Sequence, residues 1–384
     1  MPLLLVAAAC GGGSASGPEQ TPPPAEVEPT GPGRLEAATL LNRVPIADIN
    51  DAVHAPGSRT PALTPLYEVT NYRLSYLTTD GQGQEIVASG LVSVPVKLAG
   101  AKSPVLSYQH ATIYKDAEAP SNNATATEPA VIVASLGYIV IAADYVGYGV
   151  SKGTPHPYLL SAPSASAVVD LLTAARTWRR RNNVADNGQL FLTGYSEGGY
   201  VSVAAHRALQ ATSSPHLVNL VAIAPGAGPY HAGVTLDELL RRVRDENPLL
   251  GALISPGLLR YLGASVRRQV RDELLKRLVP DDADVVFDAT VIDNFLADDD
   301  AAIERQSNVH DWAPAAPARF FHGRDDQTVP YASATRTLQT MLARGASDVS
   351  LTDCAALPSS HIGCVPHFLA FMLGEFGARA RDLR

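Results

Sequence analysis

The chain has 384 residues, 46% hydrophobic and 18% charged, with 30 glycines, 29 prolines and a formal net charge of -8. That length is ample for one large domain with an insertion. The negative balance, with no long like-charge block, argues against nucleic acid as a partner, since its binders gather Lys and Arg on one face. The short run Arg179-Arg180-Arg181 reads as the solvated end of a helix, where cations complement the dipole.

Residues 1–10, "MPLLLVAAAC", form an apolar stretch too short to span a bilayer and end in a cysteine, and residues 11–40 are rich in Gly, Pro, Ser and Glu. The pattern is similar to a bacterial lipoprotein signal with Cys10 as the acylated residue and 11–40 as a linker. The expectation is an exported protein, secreted or tethered to the cell envelope through Cys10. The competing reading is a disordered tail on a soluble protein.

Beyond the linker, "YEVTNYRLSYLTTDGQGQEIVASGLVSVP" alternates apolar and polar residues on both sides of Asp80-Gly81-Gln82-Gly83, which predicts an antiparallel hairpin. "SPVLSYQH" and "GYIVIAADY" are short apolar runs bounded by breakers, as buried parallel strands are. Helical spacing follows over Ala162 to Arg180 and Gly199 to Ala211, interleaved with the strands "QLFLTG", "LVNLVAIAP" and "ARFFHG". Alternation of this kind implies an α/β fold, a mostly parallel central sheet flanked by helices. From 227 to 311 the alternation stops and apolar spacing is helical throughout. We expect a helical cap there, inserted into a core formed by 41–226 and 312–384 and placed over the strand ends, where open α/β sheets build their sites.

The stretch Gly194-Tyr195-Ser196-Glu197-Gly198-Gly199 stands between a strand and a helix. G-x-S-x-G sets a nucleophilic serine on a sharp strand-to-helix turn, with glycine where side chains would collide with nearby backbone. Ser196 needs a base to take its proton and an acid to orient that base. In the α/β-hydrolase order, the acid and then the histidine follow the serine.

"HGRDDQTVPY" supplies the acid. It resembles the G-x-x-D-x-x-V-P turn of many α/β-hydrolases, and only Asp326 has Gly323 three before it and Val329 three after. Asp325 reads instead as a cap for the helix that begins near Tyr331. The base is expected in the loop after the last strand, where His361 lies in "CAALPSSHIGCVPHF". His367 falls in the final helix, and His110, His310 and His322 accompany other elements. An oxyanion hole needs two backbone N–H groups; Glu197 should give one and His110 or Ala111 the other.

Cys354 and Cys364 flank the His361 loop. In an exported protein such a pair is a disulfide, and two cysteines alone make a poor zinc site. No metal or organic cofactor is required by this chemistry.

Together, "VLSYQHAT", "GYIVIAADYVGYGVSKG", "GYSEGG", the helical insertion, "FFHGRDDQTVPY" and "SSHIG" resemble the secretory lipase family, lipase A-like α/β-hydrolases. The resemblance implies an extracellular esterase or lipase with Ser196, Asp326 and His361 as its triad, acting on a small-molecule or lipid ester through an acyl-enzyme. Two rivals remain: a serine peptidase of the same fold, since the same triad cleaves amides, and a lipoprotein binding module without turnover.

Overall fold

The computed structural model describes residues 28–246, 261 and 263–384. Cys10 and the expected signal over 1–10 lie outside these. Among the described residues no helix is long and apolar enough to cross a membrane.

The linker expected over 11–40 gives way at Leu35 to a strand, β1 (Leu35–Val44), which pairs antiparallel with β2 (Val69–Thr79). β1 is an edge strand and most of its side chains are exposed, so it carries none of the apolar alternation that marks a half-buried strand. Helix α1 (Ile46–His54) follows and buries Ile49 and Val53. The predicted hairpin is present. β2 and β3 (Glu85–Pro95) pair antiparallel from Val69 opposite Pro95 to Thr79 opposite Glu85. In its turn Asp80 Oδ1 accepts from the amides of Gln82 and Gln84 at 2.9 and 2.8 Å.

The alternating part comes next: β4 (Ser103–Gln109), α2 (Pro129–Ala134), β5 (Ile139–Ala143), α3 (Ser161–Arg181), β6 (Asp186–Tyr195), α4 (Glu197–Ala211) and β7 (Leu220–Gly226). Four helices then follow without a strand among the described residues: α5 (Ala232–Glu246), α6 (Ala264–Leu278), α7 (Thr290–Leu296) and α8 (Asp300–Gln306). The chain returns through β8 (Ala318–His322), α9 (Tyr331–Ala343), β9 (Val349–Asp353) and α10 (Val365–Gly377). The sheet order is β1-β2-β3-β5-β4-β6-β7-β8-β9, antiparallel as far as β5 and parallel from there on. This is the expected α/β-hydrolase architecture.

Both sheet faces are covered, which is why the central strands read as unbroken apolar runs. In β5, Ile139, Ile141 and Ala143 join the cluster containing Leu171 of α3 and Val201 of α4. Val140 and Ala142 turn to the opposite cluster, with Val131 of α2 and Phe368, Met372 and Phe376 of α10. Each Ile, Val, Leu, Met or Phe among them contributes roughly 1.5–3 kcal/mol on full burial.

Helix α2 is so deeply packed that it carries Glu128, the residue before it, to 4% exposure. Burial pushes the Glu128 carboxyl up to about 8. Its unfolded value is about 4.3, so its stabilising contribution is full below that pH and is lost as pH rises towards 8. Glu128→Gln should therefore gain melting temperature relative to the parent protein as pH goes from 5 to 8. A gap that stays constant across that range would refute the assignment.

Candidate active site

At the junction of β6 and α4, Ser196 takes φ 58° and ψ -123°, a conformation that L-residues hold only when their surroundings enforce it. The enforcement is visible. Ser196 N donates to Gly226 O at 2.8 Å, and Thr193 Oγ1 donates to Ala224 O at 2.7 Å. A Cβ on Gly198 would overlap the carbonyl of Gln109, and one on Gly194 would overlap the backbone of Gly198. The glycines of the motif thus let α4 start directly above the ends of β6 and β4, with Ser196 at the carboxyl edge of the sheet.

His361 Nε2 lies 2.9 Å from Ser196 Oγ, and its Nδ1 lies 2.6 Å from Asp326 Oδ2. The three residues singled out from the sequence are therefore brought into one chain of hydrogen bonds. Such a chain can pass a proton from the hydroxyl to the imidazole while the carboxylate steadies the ring.

Asp326 is 3% exposed, and burial alone would push its carboxyl up. Hydrogen bonds from His322 and His361 reverse that and hold it well below the ordinary carboxylate range. Its Oδ1 also accepts from the amides of Thr328 and Val329 at 2.8 and 2.9 Å. Each of these donors favours the ionised form.

Asp325 does not cap α9. Pro330 occupies that position and no side chain caps it. Asp325 Oδ2 instead accepts from the amide and hydroxyl of Ser359, both at 2.9 Å, and its own amide donates to Ser359 Oγ at 3.0 Å. Three hydrogen bonds thus join the acid turn to the loop that carries His361, and they outweigh a single capping bond in an already extended approach to the helix. Cys354 and Cys364 are bonded to each other and close the same loop from both ends. Tyr195 adds a hydrogen bond from its hydroxyl to His361 O at 2.7 Å. His367 is exposed on α10, away from these contacts.

Three contributors carry no clear signal in the sequence. His322, at the end of β8, sets Nε2 2.9 Å from Val329 O and 3.3 Å from Asp326 Oδ2. Ser359 is signalled only by its position two before His361. His156 lies 2.7 Å from Glu197 Oε1, and nothing in its own neighbourhood of the chain marks it.

Glu197 is the first residue of α4, with its amide beside Ser196 and its side chain buried. His110 and Ala111 follow β4, as expected, but they differ in setting. Ala111 lines the cavity in front of Ser196. The His110 ring is packed behind it, stacked on Tyr145 at 4.1 Å, with its nitrogens 2.7 Å from Ala111 O and 3.1 Å from Asp144 O. Burial lowers its basicity.

The cavity measures about 680 Å³ and is lined by Ser196, His361, Tyr195 and Ala111 on one side and by Leu236, Leu275, Phe287, Val291 and Ile292 from the helical insertion on the other. Arg59 and Asp288 are the charged side chains on its wall among the described residues, apart from any charge on His361. Asp288 is already engaged, accepting from the Thr290 amide at 2.7 Å and from Gln82 Nε2 at 3.1 Å.

The family model described as X-Pro dipeptidyl-peptidase (S15 family) matches residues 82–361, a span that takes in Ser196, Asp326 and His361. This match does not by itself show the secretory lipase family that the sequence resembles. No curated protein matches the chain. Among solved structures, a mutant of the rice cell wall degrading esterase LipA from Xanthomonas oryzae is 22% identical, with 91% of this chain and 100% of that one covered and a TM-score of 0.69. A Legionella pneumophila protein is 24% identical over 90% of this chain and 97% of that one, with a TM-score of 0.68. Candida antarctica lipase A is 21% identical over 86% and 78%, with a TM-score of 0.55. At these identities the likeness is one of fold.

The loop geometry generates a test. Cys354→Ser/Cys364→Ser should cost roughly 2–3 kcal/mol of unfolding free energy, as short closed loops do in the chain-entropy model. Adding Asp325→Ala removes the two hydrogen bonds its carboxylate makes to Ser359, and the rate at which a phosphonate labels Ser196 should then fall on the order of 100-fold, the scale of an ångström-sized displacement. Full labelling in the triple variant would show that neither tie positions His361.

Proposed function

The chain belongs to the family described as X-Pro dipeptidyl-peptidase (S15 family), and from that premise and the contacts around Ser196 we propose that it is a serine hydrolase whose substrates are carboxylic esters. His361 Nε2 takes the proton of Ser196 Oγ as the oxygen attacks the ester carbonyl. The amides of Glu197 and Ala111, with His110 next to the latter, receive the oxyanion. Asp326 stabilises the imidazolium, which returns its proton to the departing alcohol. Water, deprotonated by the same histidine, then releases the acid from Ser196. The cycle needs no cofactor.

One observation carries the ester reading: the wall of the cavity is predominantly apolar, and its one carboxylate among the described residues, Asp288, already accepts from the Thr290 amide and the Gln82 side chain. An enzyme that removes dipeptides must hold a positively charged amino terminus, and a buried ammonium needs a paired anion. An acyl chain needs only apolar surface. The family description favours the other reading, a serine peptidase, and the two differ in what the cavity must bind. We place the enzyme outside the cytoplasm. The Cys354–Cys364 bond supports this, since such bonds persist in oxidising compartments. A lipid tether at Cys10 is part of the same proposal and rests on the sequence pattern.

p-Nitrophenyl esters assayed beside X-Pro p-nitroanilides separate the readings. Ester turnover without anilide turnover is expected, and the reverse would make the enzyme a peptidase. A phosphonate that leaves Ser196 unlabelled in a folded protein would point to a binding module. Ser196→Ala should lower ester turnover on the order of 10⁶-fold, and Asp326→Asn roughly 10⁴-fold. Near-parental turnover in either variant would remove that residue from the mechanism.

A further inference from the structure

Glu197 follows the nucleophile, and its side chain is 1% exposed. Its Oε1 lies 2.7 Å from His156 Nε2, while Oε2 has no hydrogen-bond partner among the described residues. A buried carboxyl group in that state is costly, and an apolar pair of similar volume is often as stable or more so. Core packing alone therefore gives no reason for this pair.

His156 is held on every side. Its ring Nδ1 lies 2.9 Å from Val146 O, in the segment after β5. Its amide donates to Val286 O at 2.7 Å and its carbonyl accepts from Asp288 N at 2.8 Å, forming an isolated bridge with Phe287. The ring meets Phe287 edge-on at 5.6 Å. Both Phe287 and Asp288 line the cavity in front of Ser196. One buried side chain thus touches the residue whose amide faces the oxyanion and the aromatic wall of the substrate cavity, two parts of the molecule that belong to α4 and to the helical insertion.

We infer that His156 is a positioning residue. Through Glu197 it fixes the first turn of α4, and through Phe287 it fixes the cavity wall, so that oxyanion stabilisation and acyl-chain selection are set together. The inference rests on the serine-hydrolase reading above, but not on whether the scissile bond is an ester or an amide.

The test uses ethyl and octyl p-nitrophenyl phosphonates as probes of Ser196 in the full chain, with the maximal labelling rate and the half-saturating concentration measured separately. Two variants are compared with the parent. His156→Gln keeps a donor near Glu197 but loses the ring. His156→Leu/Glu197→Met removes both buried polar groups together, the kind of paired replacement that is often neutral or stabilising. In both, the maximal rate with the ethyl probe should fall on the order of 10- to 100-fold, the scale of a displaced oxyanion donor. The preference for octyl over ethyl, read in half-saturating concentrations, should shrink several-fold. In the double variant this loss should occur at a melting temperature equal to or above that of the parent, an outcome a merely structural pair would not give. Parental labelling rates and parental chain-length preference in the double variant would overturn the inference. A parent that labels at Ser196 but hydrolyses no ester overturns the ester reading and leaves this comparison intact. A parent that does not label at all overturns both.

Discussion

The site depends on a steric constraint: the backbone of α4 begins so close to the ends of β4 and β6 that only glycine fits at 194 and 198. From that crowding follow the left-handed φ of Ser196 and the presentation of its hydroxyl beyond the sheet edge. Ala111 and Glu197 follow the ends of β4 and β6, two strands that are hydrogen-bonded partners. A larger residue at either glycine would move the serine, the helix and the strand end together, since close-packed interiors transmit displacement and do not absorb it.

The opposite wall is organised by charge and hydrogen bonding. Asp326 receives two backbone amides on one oxygen and faces two histidines with the other, so its buried charge is fully met. The neighbouring Asp325 is spent on Ser359. Adjacent carboxylates thus divide the labour: one faces His361, and the other ties down the loop on which His361 stands. The bond between Cys354 and Cys364 closes the loop from outside.

Much of this is legible in the amino-acid sequence itself. The β2–β3 hairpin shows in its alternation and polar turn, and the buried strands show as apolar runs between breakers. Ser196, Asp326 and His361 are legible because a local motif, a short spacing rule and a fixed chain order each narrow the choice. What stays hidden does so for two reasons. β1 is an exposed edge, so burial imposes no pattern on it. His156, His322 and Ser359 act through partners that are distant in sequence or differently oriented than spacing suggests, such as Glu197, 41 residues from His156. At Asp325 the sequence misleads, because a carboxylate before a helix caps it by default and only tertiary proximity to Ser359 supplies a better partner.

The distances along the chain carry a consequence for how the molecule comes into being. His361 is separated from Ser196 by 165 residues and from Asp326 by 35, and β8, β9 and the loop between Cys354 and Cys364 must all be in place before the imidazole can reach the hydroxyl. During synthesis Ser196 therefore emerges long before His361. Contacts of such long range form late in folding. A nascent chain therefore carries Ser196 without the imidazole beside it until the polypeptide is nearly whole.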